Sequence, residues 1–340
     1  MTSRRRKVTI KDIAKEAGVS QALVSFVMCN KTRGEKSYRV NENTANHVLE
    51  VAQQLGYKPN MFARALKNGK TGTVGVILSD ISNPFFAEVA REMEDEAYRN
   101  DCSVLFGSTD EDPDKMKKIA GVFVDKGVDG LVIVPCQHSE DTIREVLSLG
   151  IPVVLMDRSI KGMNVTSVTL NNRKACQEMT LRLIGKGYHH IEMISYDMEV
   201  LNIREREQGM VEAMRDSGLE DYCKIHRIAH RENQQVVDNI VSDASKRGVE
   251  AFIFATNTLA VRGMSAIFKG GFHIPQDFGI ACFDYNSAFS IFDMDLIYAK
   301  QPIEKFATET MRRIIRSINS NHPGEEVESV VLDAELVEKI

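Results

Sequence analysis

The sequence has no uninterrupted apolar stretch approaching the ~20 residues that a helix needs to cross a bilayer. Met1 is followed by arginines and not by the hydrophobic region of a secretory signal. With 340 residues and 43% hydrophobic content, the chain can build the cores of two or three globular domains. We therefore expect a cytoplasmic protein that does not enter a membrane.

Motifs for catalysis and metal binding are also missing. The six cysteines are scattered singly without CxxC spacing, and no HExxH pattern occurs. This usage is typical of reduced, mostly buried thiols and not of a disulfide framework or a zinc site. The sequence contains no GxSxG, no Walker loop and no GxGxxG after a first strand. It predicts no catalytic residue, no cofactor and no metal, and so it argues against an enzyme.

Charge is distributed unevenly along the chain. Residues 1–70 contain 14 Lys and Arg and five Asp and Glu, a net charge of +9, which leaves −14 for the other 270 residues of a chain whose total is −5. Basic residues displace condensed counterions from phosphates and supply most of the sequence-independent affinity for nucleic acid. A basic amino-terminal module on an acidic body is typical of a DNA-binding protein. The basic run at residues 4–7 is either a solvated arm or a groove contact.

Residues 9–28, TIKDIAKEAGVSQALVSFVM, predict two short helices joined by a glycine turn. Thr9 can cap the first helix, and Asp12 completes an acidic variant of the capping box. Gly18 can adopt the left-handed conformation that ends a helix, and Ser20 can cap the second helix. Apolar residues recur at spacings of three and four, which gives both helices one shared apolar face. The pattern indicates a helix-turn-helix, although an ordinary αα-hairpin has the same local signals.

A third helix is predicted over residues 41–55, followed by a short helix over 60–68 that Asn60 can cap. The eight residues MFARALKN are too few for a stable isolated helix. We expect the same segment of a second subunit and the DNA to support it, with Ala63 allowing close approach and Leu66 wedging into a minor-groove base step. A plain linker with incidental helical propensity is the alternative.

From residue 74 the pattern changes to apolar strands that alternate with amphipathic helices. Runs of Val, Ile, Leu and Phe separated by single helices predict parallel sheets covered on both faces. The predicted strands form two sets, one over 74–79, 103–107, 130–135 and 152–157, and one over 165–170, 190–195, 251–256, 279–284 and 296–299.

Two sets of strands predict two lobes, and we expect the chain to cross between them near 158–163, 285–290 and 320–326. The expected domains are a helix-turn-helix DNA-binding domain at 1–59, a hinge helix and linker at 60–72, and a two-lobed effector-binding and dimerisation domain at 73–340.

The residues that follow the predicted strands are candidates for a binding site. Ligands of open α/β sheets bind beyond the carboxyl ends of the strands, and two facing lobes bring those ends together in a cleft. Carboxylates, amides and a guanidinium can bind vicinal hydroxyls, while Phe85 or Phe86 covers an apolar ring face. These side chains together favour a sugar or a similar polyol, although most of them, taken singly, are more typical of helix caps than of ligand-binding residues. The candidates are Asp80, 82–86, Pro135, Asp157, Arg158, Asn171, Asn172, Thr256, Asn257, Asp284 and Tyr285.

Eight segments, in this order, resemble the markers of the LacI/GalR family of bacterial transcription regulators. They are TIKDIAKEAGVS…VS, LGYKPN…ARALK, TVGVILSDISNPFF, GVDGLVIVP, IPVVLMDR, HIEMIS, IPQDFGIACFDY and the QP of KQPIEKFA. The resemblance spans essentially the whole chain. It implies a small all-α helix-turn-helix DNA-binding domain followed by a two-lobed α/β core with parallel sheets, like a type I periplasmic binding protein. It also implies a homodimer that reads a pseudo-palindromic operator, with lobe movement coupled to DNA affinity.

The resemblance also assigns DNA contacts to this sequence. Gln21, Ala22 and Phe26 match base-reading positions on the second helix, and Leu66 matches an intercalating leucine. An aromatic residue at position 26 can contact thymine methyls but cannot form the bidentate bond of arginine to guanine, so the operator sequence does not transfer. The positions that match backbone contacts are Ser20, Ser25, Tyr57 and Asn60. Thr9 and Ala63 complete the predicted DNA-binding set.

For the effector, Arg206 matches the ligand arginine of the family, Asp284 its aspartate after a late strand, and Phe85 its pocket aromatic. Asn257 stands where an acid is usual and Thr256 where asparagine is common, so the resemblance does not fix the ligand class. The predicted effector-binding residues are Phe85, Phe86, Asp157, Arg206, Thr256, Asn257 and Asp284.

Together these features predict a sequence-specific DNA-binding transcriptional regulator, a repressor in our interpretation, controlled by a small carbohydrate effector between two lobes. The expected partners are double-stranded operator DNA, the effector and a second copy of the chain. One alternative is a regulator controlled by a protein partner or co-repressor, which the altered Thr256 and Asn257 leave open. The other is a sugar-binding receptor without DNA function, against which the basic amino-terminal module argues.

Overall fold

A computed structural model of the protein describes residues 8–33, 40–57, 69–286, 289, 295–320 and 327–339, and over 29–33 it describes only the backbone. The chain divides into two units, Met1–Thr71 and Gly72–Ile340, and each is described by itself. The short helix expected over 60–68, with Asn60, Ala63 and Leu66, lies outside the described residues.

The described part of the first unit contains three helices, α1 (Ile10–Glu16), α2 (Gln21–Arg33) and α3 (Glu42–Gln54). The capping box of α1 is confirmed, because the Asp12 carboxylate accepts from the Thr9 N–H at 2.8 Å while Thr9 Oγ1 accepts from the Asp12 N–H at 3.4 Å. Gly18 has a φ of 66°, and Ser20 Oγ accepts from the Leu23 N–H at 3.2 Å. The predicted caps thus fix where both helices of the pair begin and where the turn lies.

One small core holds the three helices together. Ile13, Val24 and Val48, one from each helix, are fully buried there. They belong to the apolar spacing of three and four that the sequence shows, so the same face of each helix points inward. The first turn of α2 stays outside this core, because Gln21 and Ala22 are exposed.

The second unit contains, in the part that the structure describes, two six-stranded sheets. The first sheet has the strand order β11-β5-β4-β3-β1-β2, and all its neighbours pair in parallel. Four helices accompany this sheet in the first lobe: α4 (Pro84–Arg99), α5 (Pro113–Asp125), α6 (Glu140–Ser148) and α11 (Ile303–Asn319). The strands are β1 (Thr73–Leu78), β2 (Ser103–Ser108), β3 (Gly130–Ile133), β4 (Val153–Asp157), β5 (Ser167–Leu170) and β11 (Ser329–Leu332).

The second sheet has the order β12-β10-β9-β8-β6-β7 and is parallel except for β12, which runs antiparallel to β10. Its lobe contains α7 (Asn172–Gly185), α8 (Leu201–Asp216), α9 (Gln234–Arg247) and α10 (Asn257–Lys269). The strands are β6 (Ile191–Tyr196), β7 (Cys223–Ile228), β8 (Ala251–Phe254), β9 (Gly279–Phe283), β10 (Leu296–Lys300) and β12 (Glu335–Lys339). No helix in the described ranges is long and apolar enough to cross a membrane.

The structure corrects the predicted crossings between the lobes. The strand predicted at 165–170 opens the second set in the sequence, but β5 pairs with β4 and so belongs to the first sheet. The chain instead crosses at Asn171, at residues 301–302 and at residues 333–334, and not near 158–163, 285–290 or 320–326. The first two expected crossings are connections between neighbouring strands of one sheet, and the third lies between α11 and β11, which both belong to the first lobe. Strands β4 and β5, like β9 and β10, are parallel neighbours whose described connection contains no α-helix.

Three strands were missing from the sequence prediction. Strand β7 lies at one edge of its sheet, and in its sequence CKIHRI Lys224 and Arg227 are exposed and only Ile228 is fully buried. Strands β11 and β12 are also edge strands and contain exposed polar residues. Edge strands lack the continuous apolar runs of strands that are buried on both faces, and so they give a weaker sequence signal. Helix α8 begins at Leu201, whereas the helical pattern that follows the predicted strand at 190–195 indicates a start near residue 204.

Candidate effector cleft and DNA-reading helix

In the described part of the first unit, the first turn of α2 presents exposed side chains that could reach a base edge. Ser20, Gln21 and Ala22 are exposed, and the turn contains no acidic residue. The N-terminal N–H groups of a helix carry a partial positive charge, which favours approach to a phosphate backbone. Phe26, one turn further on, is half-buried, so only part of its ring faces solvent.

The other predicted DNA-binding residues have mixed environments. Thr9 is exposed, but its hydroxyl is already engaged with Asp12. Ser25 is half-buried, and Tyr57 packs partly against the core of the three helices. The structure therefore gives Thr9 and Tyr57 a structural role in addition to any contact with DNA. The roles assigned to Asn60, Ala63 and Leu66 stay predictions, since these residues lie outside the described ranges.

All seven residues predicted to bind an effector line one cavity of the second unit, which encloses about 500 Å³ of empty space including its open mouth. Phe85, Phe86 and Asp157 come from the first lobe, and the other four come from the second. They meet because each follows the carboxyl end of a parallel strand or lies on the helix beyond it. The convergence that the sequence predicts is therefore present.

Arg206 lies at the back of this cavity and is 3% exposed. Its Nε donates to Asn172 Oδ1 at 2.8 Å, and its Nη1 donates to the Ala255 carbonyl at 2.7 Å. The guanidinium carbon lies 3.7 Å from the centre of the Phe283 ring. Burial lowers the pKa of Arg206, against the opposing effect of the carboxylates of Asp157 and Asp284. Its described hydrogen-bond partners are neutral, which leaves the positive charge available to a ligand.

Two aspartates occupy equivalent places in the two lobes. Asp157 ends β4 and Asp284 follows β9, and both have a left-handed backbone, with φ of 66° and 62°. Such a conformation is unfavourable for a non-glycine residue and persists where the surroundings fix it, often at a binding site. Burial raises the pKa of Asp284 to about 6, although Arg206 and the Gln301 amide, which donates to it at 2.9 Å, oppose this rise. Burial also raises the pKa of Asp157.

Four buried polar atoms on residues that line the cavity have no hydrogen-bond partner among the described residues. They are the acceptors Asp157 Oδ1 and Gln301 Oε1 and the donors Arg158 Nε and Asn257 Nδ2. A buried polar atom without a partner costs about 1–3 kcal/mol, so it is rarely left in this state without a reason. Hydroxyl groups both donate and accept, so a ligand that carries several of them matches a mixed set of donors and acceptors.

The aromatic wall of the cavity comes from the start of α4. The rings of Phe85 and Phe86 meet edge to face with 5.0 Å between their centres, and Phe85 meets Phe306 of α11 in the same way at 5.8 Å. Both Phe85 and Phe86 are buried, and their position is fixed because Asn83 caps α4 by accepting from the Phe85 N–H at 3.1 Å. This wall presents a rigid apolar surface to a ring face.

Thr256 and Asn257, the two departures from the family pattern, have different environments. Thr256 is half-buried and caps α10, because its Oγ1 accepts from the Leu259 N–H at 3.3 Å. The simpler interpretation of Thr256 as a helix cap is thus confirmed, although the residue also lines the cavity. Asn257 is 2% exposed, and its Oδ1 accepts from Thr258 while its amide nitrogen is the unpartnered donor described above.

Several residues of the cavity were missed by the sequence prediction. Asn202 lies in the first turn of α8, ahead of the start near residue 204 that the sequence pattern indicates. His230 follows β7, an edge strand with a weak sequence signal. Glu111 lies three residues beyond Ser108, the last residue of β2. Ligands of open α/β sheets bind beyond the carboxyl ends of the strands, and only this rule, applied to every strand, could have found Glu111 and His230. The cavity is also lined by Asp80, Asn83 and Arg158, which follow predicted strands, and by Ser79, Glu111, Tyr196, Met198, Asn202, Ile203, His230 and Gln301.

The lobes contact each other at the cavity. Asn202 of the second lobe donates to Asp157 of the first lobe, and Arg231 of the second lobe lies 3.2 Å from the Asp110 carboxylate of the first. Among the described residues, no group of three or more His, Cys, Asp and Glu has an arrangement that could hold a metal ion.

A helix-turn-helix unit joined to a two-lobed unit with a polar ligand cleft defines a class of ligand-responsive DNA-binding proteins. Comparison with known families agrees. Residues 9–60 match the model for bacterial regulatory proteins of the lacI family, and residues 71–332 match the model for periplasmic binding proteins and the sugar binding domain of the LacI family. The chain belongs to the LacI family of bacterial transcriptional regulators, and the predicted family and fold class are confirmed.

Individual relatives match the chain over nearly its full length. It is 30% identical over 336 residues to the HTH-type transcriptional regulator RegA of Clostridium saccharobutylicum, covering 97% of this chain and 98% of RegA. It is 30% identical over 317 residues to catabolite control protein A of Priestia megaterium, covering 92% and 93%. Among solved structures, the lac repressor dimer bound to operator and the anti-inducer ONPF superposes with a TM-score of 0.83 at 18% identity over 98% of both chains, which shows a shared fold.

Proposed function

We propose that this regulator is a repressor whose affinity for operator DNA is set by a sugar or a sugar derivative bound in the cleft. The observation that carries the proposal is the set of two unpartnered acceptors and two unpartnered donors around one cavity. A mixed set of this kind fits a ligand with several hydroxyl groups better than it fits an apolar or a purely anionic one.

The proposed contacts follow from the geometry. Asp157 and Asp284 accept from ligand hydroxyls, and Arg206 donates with the part of its guanidinium that is not bound to Asn172 or Ala255. The apolar face of a sugar ring packs on Phe85 and Phe86. Thr256 contributes its hydroxyl beside the unpartnered amide of Asn257. These are the seven residues that the sequence analysis names.

The proposed mechanism is a shift between two lobe arrangements. The cleft residues come from both lobes, so a ligand that touches both binds one arrangement better and moves the population by its differential affinity. In our proposal the DNA-binding units of two copies read the two halves of an operator through Ser20, Gln21, Ala22, Ser25 and Phe26. Residues 60–72 connect each unit to its core, with Leu66 as the wedge. The direction of the response depends on the arrangement that the ligand prefers.

The homodimer, the cytoplasmic location and the absence of catalysis are parts of the same proposal. A palindromic site matches the twofold symmetry of a dimer, and such dimers are the usual form in which single helix-turn-helix units achieve specificity. Analytical ultracentrifugation of the full chain tests this part directly, because a strict monomer at micromolar concentration would contradict it.

The test of the effector combines two measurements on the purified full chain. DNA fragments that bind are first selected from the genome that encodes the protein. Calorimetry then screens uncharged sugars, polyols and sugar phosphates for binding, and fluorescence anisotropy follows the affinity for a selected fragment. We expect at least one uncharged member to bind and to change DNA affinity about tenfold, a coupling of typical size. If no member of the panel binds while DNA binding is normal, the sugar effector is rejected and control by a protein partner is favoured.

A further inference from the structure

The cleft contains a second arginine, which is arranged differently from Arg206. Arg158 follows β4, and its guanidinium faces Glu111, which follows β2 in the same lobe. Arg158 Nη1 donates to Glu111 Oε2 at 2.8 Å, and Nη2 donates to Glu111 Oε1 at 2.7 Å. The side chains of Arg158 and Glu111 are only 6% and 9% exposed. This is a bidentate pair, the strongest geometry available to a guanidinium and a carboxylate.

The pair uses the nitrogens that would otherwise bind an anion. A phosphate or carboxylate engages arginine through two parallel N–H groups, and Glu111 occupies this fork. Nη1 also donates to the Pro135 carbonyl at 2.8 Å. Only Nε is left without a hydrogen bond among the described residues, and the Asp157 carboxylate lies 3.6 Å from it. An anion at Arg158 would therefore replace Glu111 or lie beside Asp157.

The charged side chains around Arg206 also disfavour an anionic ligand. Arg206 is bound to neutral acceptors, but the carboxylates of Asp157 and Asp284 both act on it. A phosphate placed at Arg206 would thus face the two carboxylates of Asp157 and Asp284, whereas a neutral hydroxyl can donate to either of them.

We propose that Glu111 is a specificity-determining residue of the cleft, which closes the anion-binding fork of Arg158 and so restricts the site to uncharged, hydroxyl-bearing ligands. The inference rests on the proposed function of the cavity as the effector site. It adds that sugar phosphates and other anions are excluded, and it names the side chain responsible.

Inorganic phosphate is the probe, and titration calorimetry on the full chain at constant ionic strength is the measurement. Glu111→Gln keeps the shape of the side chain but opens the fork of Arg158. The double variant Glu111→Gln/Arg158→Met removes both charges, a change that buried ion pairs often tolerate. Glu309→Gln is the matched control, because Glu309 pairs with Arg313 on α11 and lies outside the residues that line the cavity, while Arg313 keeps Glu328 at 3.1 Å. The basic amino-terminal unit is unchanged in all variants, so its own phosphate binding cancels in the comparison.

We expect Glu111→Gln to bind phosphate at least about tenfold more tightly than the original chain, the size of one charge-assisted hydrogen bond. The double variant and Glu309→Gln should bind phosphate with the affinity of the original chain. An unchanged affinity in Glu111→Gln, or a gain that persists in the double variant, would overturn the proposal. If Glu111→Gln does not fold, the phosphate affinities of the original chain and the double variant are compared. Equal affinities support the proposal, and tighter binding of phosphate by the original chain contradicts it. None of these results depends on DNA or on a sugar, so failure of the effector screen remains a separate outcome.

Discussion

Asn202 of α8 donates a hydrogen bond to Asp157 at the end of β4, with 2.8 Å between the amide nitrogen and the carboxylate oxygen. The two residues belong to different lobes and are 5% and 3% exposed. The lobes cannot separate at this point without breaking the bond. The second contact across the cleft, between Arg231 and Asp110, involves a side chain that is 73% exposed, and such surface pairs contribute little. The buried bond is therefore the main polar contact that we expect to favour closure.

Replacement of this amide should open the cleft. Asn202→Ala removes the donor and leaves the Asp157 carboxylate without it, which should destabilise the closed arrangement by about 1–3 kcal/mol. Small-angle X-ray scattering should then report a larger radius of gyration. Asn164→Ala, at an exposed position of the first lobe, is the control and should leave the scattering unchanged. Identical curves for the two variants would show that Asn202 does not hold the lobes together.

Removal of the buried guanidinium should uncouple the protein from its effector. Arg206→Met keeps much of the side-chain volume but deletes the donors, and loss of a buried charged partner costs a ligand about 2–5 kcal/mol. Calorimetry with the ligand found in the panel measures this loss. DNA affinity without ligand should stay nearly normal, because Arg206 lies in the second unit.

Arg215→Met is the matched control for this prediction. Arg215 lies on the same helix, α8, but it is exposed and pairs only with the exposed Asp216 among its described contacts. A normal effector response in Arg206→Met would remove Arg206 from the proposed site.

The exposed first turn of α2 should carry part of the operator specificity. Gln21→Ala removes one base-reading side chain and should weaken binding to the selected operator by about 1–3 kcal/mol, with little effect on salt-sensitive nonspecific binding. Fluorescence anisotropy at several salt concentrations separates specific binding to the operator from nonspecific binding. Gln54→Ala, at an exposed position on α3, is the control. Equal losses on operator and random DNA would mean that Gln21 contacts phosphates and not bases.

Gly209 of α8 lies against the backbone of α7 at Arg173. A Cβ there would lie 2.2 Å from the Arg173 carbonyl oxygen, so one helix would have to move. Gly209→Ala should destabilise the second unit by about 1–3 kcal/mol or more, the usual cost of overpacking. Gly121→Ala in α5 meets no heavy atom within 4 Å and should instead stabilise the protein by up to ~1 kcal/mol. The urea concentration at the midpoint of unfolding tests both variants. A shift of this midpoint in the same direction for Gly209→Ala and Gly121→Ala would contradict the packing argument.

Glu192 should make the second unit sensitive to acid. It is 1% exposed, and although burial opposes the effect, hydrogen bonds with His226 and Arg247 lower its pKa from 4.5 to about 2. A carboxyl group with a lowered folded-state pKa stabilises the fold above its unfolded pKa and loses that contribution as pH falls through the folded value. Stability should therefore decline between pH about 4.5 and about 2.

Urea unfolding at a series of pH values measures this decline. Glu192→Gln should be less stable near neutral pH and should show a flatter pH dependence, whereas Glu220→Gln at an exposed position should follow the original chain. A slope in Glu192→Gln as steep as in the original chain would assign the acid sensitivity to other groups.

Local signals in the sequence predicted the parts of the fold that depend on local physics. Thr9 and Asp12 cap a helix by contacts three residues apart, so their pattern is complete within one short segment. The seven predicted cleft residues also meet in one cavity, because the carboxyl ends of neighbouring parallel strands necessarily share an edge. This rule needs only the strand positions and not the order of the strands.

The remaining features depend on long-range pairing, which a single sequence does not display. Strand β5 joins the first sheet through backbone hydrogen bonds to β4, and no residue type marks that choice. Glu111 was missed for a related reason, since its importance comes from Arg158, 47 residues away along the chain. Asn202 and His230 were missed because the start of α8 and the existence of β7 were misjudged.

The three crossings have a consequence for how the molecule is made. Helix α11 and strand β11, which complete the first lobe, follow every strand of the second lobe except β12 in the chain. Neither lobe is therefore a continuous piece of polypeptide, and no single proteolytic cut can release one of them whole. As the chain leaves the ribosome, β5 remains an unpaired edge strand of the first sheet until most of the second lobe has emerged. Strands β11 and β12 then complete the first and the second sheet one after the other.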